Sequence, residues 1–453
     1  MKLSGKFIAV AFCMVSLASC GSGTDTRTSP DSLVTTSTSS PESEGTDCDK
    51  ECLAERLKQQ ELLKECEKSK SYKPQAVDTE DDQQWEPIVS TNSFDVDREG
   101  NVIVTGVLGD EVDFDLTKAH QTFGSSGWSF SFIAKFNKES EFVWIRCIKQ
   151  ETWFHWFIGP TVTTDAEGNI YFCDSSLTKF DSNGKTLWSK ETQLTVSCET
   201  DPSGKTVLVG SGITLYDSNG IELWKIAPDV EEQVDYASAA KFDASGNIFA
   251  ASRHHLTKYS SSGKGLWQVT FEQRYEGNFG PEGLSEYGPT YVVTDDVGLN
   301  IDSKGDVYLA LSINKKNDFS QSSASKIINP SWLQDVAIAK YSNDGALVWV
   351  NKVEIPNTVR TTTRYAEGYD ISFTPQHEII VLGGGWKDSI SHGSKLFLAK
   401  FNPAGKQVRF MWLDEYTAFI HNLGHKVFTN SRGRTYVTAE GELMPPFLLS
   451  RDL

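Results

Sequence analysis

The side chains best equipped for chemistry or recognition in this chain are histidines and clustered aromatics, and most sit in polar stretches between apolar runs. Trp153-Phe154-His155-Trp156-Phe157 is one cluster. Tyr275 and Tyr287 flank an acidic stretch that carries Glu272, Glu276, Glu282 and Glu286. Imidazoles titrate near neutral pH and can shuttle protons or ligate metals, and His254, His255, His421 and His425 are spread over separate stretches. Exposed aromatics suit protein interfaces and sugar stacking. Trp153, His155, Trp156, His254, His255, Tyr275, Tyr287, His421 and His425 are therefore the candidates for a binding face. Nothing in their spacing requires a metal, and no cofactor is expected. The chain has no Gly-x-Ser-x-Gly elbow, His-Glu-x-x-His pair, phosphate loop or dinucleotide fingerprint, so no catalytic residue is assigned. Recurring Asp-x-x-Gly segments lack the carboxylate density of a calcium loop, and turn stabilisation by Asp explains them.

The N-terminus gives an address. Lys2 and Lys6 precede an apolar run, Phe7 to Leu17, which is too short to span a bilayer and reads as a secretory signal. Leu17-Ala18-Ser19-Cys20 resembles the bacterial lipobox. That resemblance implies cleavage before Cys20, lipidation of its thiol and attachment to a bacterial envelope membrane. Gly21 after the cysteine implies the outer membrane by similarity to enterobacterial sorting rules. Residues 1–19 are then a signal peptide whose loss removes two lysines and no acid, taking the net charge from −18 to −20. Residues 20–46 form a Ser/Thr-rich tether that cannot bury a core, with a reach of roughly 25–30 Å.

Residues 47–73 are rich in helix formers, with Asp47 placed to cap a helix. On a straight helix Cys48 and Cys66 lie about 27 Å apart, so they cannot bond to each other. Disulfides of Cys48, Cys52 and Cys66 through a helix break or to a partner fit an oxidising envelope; free thiols or a metal are the other readings. Further along, Cys173 and Cys198 could meet across adjacent elements as a disulfide or stand as small buried core residues.

The rest, residues 74–453, is organised by one pattern written seven times. Asp-x-x-Gly and a β-rich run are followed by a second apolar run, another Gly turn and a Trp four residues beyond it. Asp165-Ala-Glu-Gly168-Asn169-Ile-Tyr-Phe, then Leu177-Thr-Lys-Phe-Asp181-Ser-Asn-Gly184-Lys-Thr-Leu-Trp188, is the clearest copy. In the sixth copy Gln376-His377 replaces the first Gly turn and Arg409 the Trp, with Trp412 just beyond. Short strands divided by tight turns at such a period predict an all-β, seven-bladed β-propeller of four-stranded antiparallel blades. The last copy holds three strands, so Gln84-Trp85 to Ser90 is expected to supply its fourth and close the ring, satisfying both free edges. All Asp-x-x-Gly turns fall at one end of the blades. The long insertions, among them 107–129, 271–288, 315–334 and 414–424, fall at the other, where function usually concentrates.

Ser131-Phe-Ile-Ala-Lys-Phe-Asn137, Val336-Ala-Ile-Ala-Lys-Tyr341 and Leu396-Phe-Leu-Ala-Lys-Phe401 resemble the bacterial β-propeller repeat of secreted and surface proteins. The second to fourth copies are similar to tryptophan-docking repeats of quinoprotein dehydrogenases and of the outer-membrane assembly lipoprotein. The resemblance implies a propeller fold and an envelope location. With a net charge of −18 and no Lys/Arg cluster, nucleic acid is disfavoured as a partner. The expectation is a lipid-anchored, non-catalytic scaffold binding a protein or glycan of the envelope, and touching membrane through its N-terminal lipid. An enzyme at the axial funnel (lactonase, lyase or quinone-dependent dehydrogenase) and an envelope-assembly factor are the alternatives.

Overall fold

A computed structural model describes Lys64 and residues 70–71, 89–108, 112–114, 121–123, 130–139, 141–149, 159–192, 195–210, 212–227, 237–271, 297–320, 326–331, 334–356, 366–385, 394–418, 426–438 and 447–449. Among them, no helix is long and apolar enough to cross a membrane. The first sheet is Val89–Val96, Val102–Leu108, Phe130–Phe136 and Phe142–Lys149, an antiparallel meander in chain order. Five more four-stranded meanders follow, opening at Thr161–Thr164, Thr195–Thr200, Ala239–Phe242, Gly298–Ile301 and Ala366–Phe373. A three-stranded sheet, Val427–Thr429, Thr435–Val437 and Phe447–Leu449, comes last. The opening strand of each sheet packs against the opening strand of the next. Tyr436 of the last sheet is buried in one cluster with Phe94, Phe132 and Cys147 of the first. Sheets arranged in sequence around their innermost strands make a β-propeller.

Local chemistry explains the blades. In the first turn of the second blade, Asp165 Oδ1 accepts the backbone N–H groups of Glu167 and Asn169, and Oδ2 accepts the Asn169 amide. The same Asp-centred turn recurs at Asp97, Asp201, Asp243 and Asp302. At the sixth, Thr374 substitutes for the Asp and His377 takes the left-handed conformation, φ 60°, that glycine holds in the other copies.

The tryptophans join one blade to the next. Trp144, Trp188, Trp224 and Trp267 each donate Nε1–H to a carbonyl in the third-to-fourth-strand turn of the following blade: Ser182, Ser218, Ser261 and Asn343, at 3.4, 3.3, 3.0 and 3.1 Å. Each indole lies where a Cβ on the turn glycine would stand, 2.8 Å from the Trp224 ring at Gly263 and 2.8 Å from the Trp267 ring at Gly345. The Lys of the third strand completes the joint. Lys135, with a buried side chain, pairs with Asp97 at 3.0 Å and also donates to Ser182 O. Lys179 repeats this with Asp165 and Ser218 O.

Some details depart from the sequence reading. Val89 and Ser90, expected in a strand of the last blade, pair with Leu108 and Val107 inside the first blade; 84–88 lie outside the described residues. Lys70 and Ser71, expected at the end of the helix, form a strand on Gln121–Phe123, which in turn pairs with Val112–Asp113. Of the residues expected to be helical, Lys64 is described as helical and Lys70 and Ser71 as strand. The segment from Asp414 to Ala418 continues strand Gln407–Ala418 rather than opening a loop. Cys173 and Cys198 are disulfide-bonded, joining the second strand of one blade to the first of the next, so the reading of unbonded core residues is set aside.

Two outcomes follow from this packing. Gly345→Ala, with φ +88° and an indole 2.8 Å from the new methyl, should cost about 2 kcal/mol in urea denaturation, whereas Gly433→Ala, with φ +78° and nothing near, should cost only about 1 kcal/mol. Replacing Cys173 and Cys198 together by Ser, across a separation of 25 residues, should lower stability by about 3.5 kcal/mol if chain entropy dominates.

Candidate functional site around the propeller axis

The innermost strands place a polar side chain at a fixed offset, two residues before the turn residue. Asp95, Thr163, Glu199, Lys241, Asn300 and Ser372 occupy it before Asp97, Asp165, Asp201, Asp243, Asp302 and Thr374. From there they reach the next blade. Thr164 Oγ1 donates to Asp95 Oδ2 at 2.8 Å, and Thr200 N–H donates to Thr163 Oγ1 at 3.2 Å. Glu199 and Lys241 form an ion pair at 2.7 Å. Asn300 Nδ2 donates to Ile371 O at 2.8 Å, and Thr429 N–H donates to Ser372 Oγ at 2.8 Å. One residue pair further from the turns, Val427 N–H donates to Asp370 Oδ2 at 2.9 Å. The site is a band of polar bridges, blade to blade, where the inner strands converge.

The band combines depth with access to water. Glu199 and Lys241 keep 24% and 26% of their side-chain surface exposed although they lie deep among the inner strands. Desolvation acts strongly here. It pushes the Asp95 carboxyl up to about 6; the Thr164 hydroxyl opposes the shift and Glu199 adds to it. Burial likewise raises Asp370, against the pull of Lys426 and the Val427 N–H. For Lys241 burial favours the neutral amine, but the Glu199 carboxylate, with smaller help from Asp370 and Asp95, more than offsets it and the ammonium is held above its ordinary range. Within this set the Asp95 carboxyl is the group held near pH 6. The arrangement can hold protons and bind polar groups. Among the described residues, no group of three or more His, Cys, Asp or Glu is placed to hold a metal.

Of the histidines expected on a binding face, His254 and His255 are described, and they lie outside the axial band. His254 and His255 form the tight second-to-third turn of the fourth blade, where Ser252 Oγ accepts both backbone N–H groups. The His255 ring approaches Thr270 Oγ1 and Gln268 Nε2 at 3.2 and 3.0 Å, both on the outermost strand Gly265–Thr270. That turn is at the end away from the Asp turns, but toward the perimeter rather than the axis. Trp153, His155, Trp156, Tyr275, Tyr287, His421, His425, Cys20, Cys48, Cys52 and Cys66 lie outside the described residues. The axial band was not among the residues singled out from sequence. Its only signal there is the constant offset from the turn, which carries no residue-type pattern: the six positions hold Asp, Thr, Glu, Lys, Asn and Ser.

No described protein family matches the chain, and no curated protein matches it. Similar solved structures include a protein of unknown function from Bacteroides caccae, 14% identical, covering 64% of this chain and 92% of that one with TM-score 0.37. Virginiamycin B lyase from Staphylococcus aureus is 11% identical over 77% of this chain and 92% of its own, TM-score 0.42. BamB from Moraxella catarrhalis is 12% identical over 78% and 97%, TM-score 0.38. These likenesses concern the fold alone; the propeller assignment rests on strand order and packing.

The pH dependence of the band has a definite sign. Asp95 binds its proton more tightly folded than unfolded, so the folded state gains protons between the ordinary carboxylate range, near 3.8, and about 6. Stability should fall as pH rises through that window. In melting curves from pH 4 to 7.5, Asp95→Asn should remove this decline and melt higher than wild type at pH 7.5.

Proposed function

We propose that the protein is a lipid-anchored propeller of the bacterial envelope, held at the outer membrane through Cys20 and closed as seven blades with residues 84–88 beside the last sheet. In this reading it works as a non-catalytic scaffold that binds an envelope protein, or a glycan, at the end opposite the Asp turns. The observation that carries the reading is the asymmetry of the connections. At the Asp-turn end strands follow one another through tight four-residue turns. At the other end the chain leaves strands at Leu108, Thr270, Ile313 and Lys352 and next enters a blade strand at Phe130, Gly298, Asp335 and Ala366. Long connections gathered at one end of a rigid ring are how such scaffolds present a binding surface. The axial polar groups support the non-catalytic side of the reading, since each bridge already engages its partner.

One observation favours a second reading, an enzyme at the axis. A carboxyl pushed to about 6, near an ion pair and within reach of water, is a suitable proton carrier.

The test is a photo-crosslinking amino acid placed in intact cells at Glu354, exposed beyond the fourth strand of the fifth blade, or at Ser203, exposed in an Asp turn. The scaffold reading expects one envelope protein captured from Glu354 and not from Ser203. Equal capture from both, or none, would overturn it and direct screening toward the axis, with Asp95→Asn as the inactive control.

A further inference from the structure

Cys147 is the cysteine that the fold itself leaves unexplained. It lies on the outermost strand of the first blade, Phe142–Lys149, directly opposite Phe132, and its side chain is almost wholly buried. It is disulfide-bonded, yet Cys173 and Cys198 are bonded to each other and cannot supply its partner. The partner must come from the N-terminal cysteines.

The small sheet on the first blade narrows the choice. Cys147 faces a cluster that includes Phe114, Phe123 and Phe132. Phe114 stands edge-on to Phe132 with centroids 5.1 Å apart, and Phe123 packs on Phe142 at 5.1 Å. Phe114 directly follows the strand Val112–Asp113 and Phe123 ends the strand Gln121–Phe123, and Lys70 pairs with Thr122 in that sheet. The chain at Lys70 is therefore brought to the blade face that holds Cys147. Four residues of chain reach at most ~14 Å, so Cys66, four residues before Lys70, is the N-terminal cysteine with the shortest chain to this sheet.

We infer that Cys66 is the partner of Cys147. Two thiols lose two protons and two electrons to form the bond, and a protein disulfide of an envelope thiol oxidoreductase takes up both to become a dithiol. The link bridges residues on either side of 84–88, on the face of the first blade that also receives Tyr436 of the last. Tension arriving along the N-terminal segment is then borne by a covalent bond to the first blade rather than by strand pairing at the junction with the last. The chain at Cys66 is thereby fixed to the outermost strand of the first blade.

Trypsin places every relevant cysteine on a separate peptide: Cys48 before Lys50, Cys52 in 51–56, Cys66 in 65–68 and Cys147 in 147–149. Full-length protein purified without reductant, alkylated and digested, should yield 65–68 joined to 147–149. Cys147 joined to Cys48 or Cys52, or recovered alkylated, would overturn the inference. Cys66→Ser should make Cys147 alkylatable after unfolding in urea, whereas Cys48→Ser and Cys52→Ser should not. Because this readout is chemical, it stands even if Cys66→Ser reduces the yield of folded protein.

Discussion

The contact on which the ring depends is an indole seated on a turn that has no Cβ. Trp144, Trp188, Trp224 and Trp267 each place the ring where the side chain of the next blade's turn residue would be and donate N–H to a carbonyl of that turn, while Trp349 seats its ring on Gly405 without such a bond. A sheet alone would leave its two faces exposed to water; this contact fixes the angle and spacing at which the next sheet covers one of them. Lysines of the third strand add a second tie, since each neutralises the Asp of its own blade while donating to the neighbouring turn. A buried charge pair of this kind gains little from Coulomb attraction once desolvation is counted. Its contribution is to geometry, because both partners must be in place for either to be satisfied.

The same repeat creates the axial band. Inner strands converge there, so a residue two positions before the turn can touch the neighbouring blade. The Trp contact works near the perimeter and the polar bridge near the axis, and between them the apolar clusters of adjacent blades interlock. Where the bridging side chains are neutral, at Thr163, Asn300 and Ser372, the bond is a simple stitch. Where they ionise, at Asp95, Glu199, Lys241 and Asp370, the stitches interact through a poorly solvated interior. Burial raises the Asp95 and Asp370 carboxyls, while the Glu199 carboxylate holds the Lys241 ammonium above its ordinary range.

How much was legible depended on whether the controlling interaction was local. Asp165 and Gly168 announce their turn because the bonds that hold it lie within five residues. Trp188 was legible as a period marker, but its receptor, the turn around Gly220, was not, since that contact joins residues of different copies. Cys173 and Cys198 were legible as a pair that could meet, and their bonding depended on two strands of neighbouring blades standing face to face. Lys70 looked helical because its neighbours are helix formers; a partner strand some fifty positions later claimed it instead.

Composition and repeat alone determined that this chain is an all-β propeller of short antiparallel meanders. Those properties are sums over local preferences and need no knowledge of what lies opposite. Only the tertiary structure decided which polar residues meet at the axis, where His255 points, and that Cys147 is bonded. The physical reason is the same in each case. The axial groups act on partners about 40 to 70 residues away in the neighbouring blade, and the His255 ring on an outer strand of its own blade, so each proximity is set by strand pairing or blade packing and not by local preference.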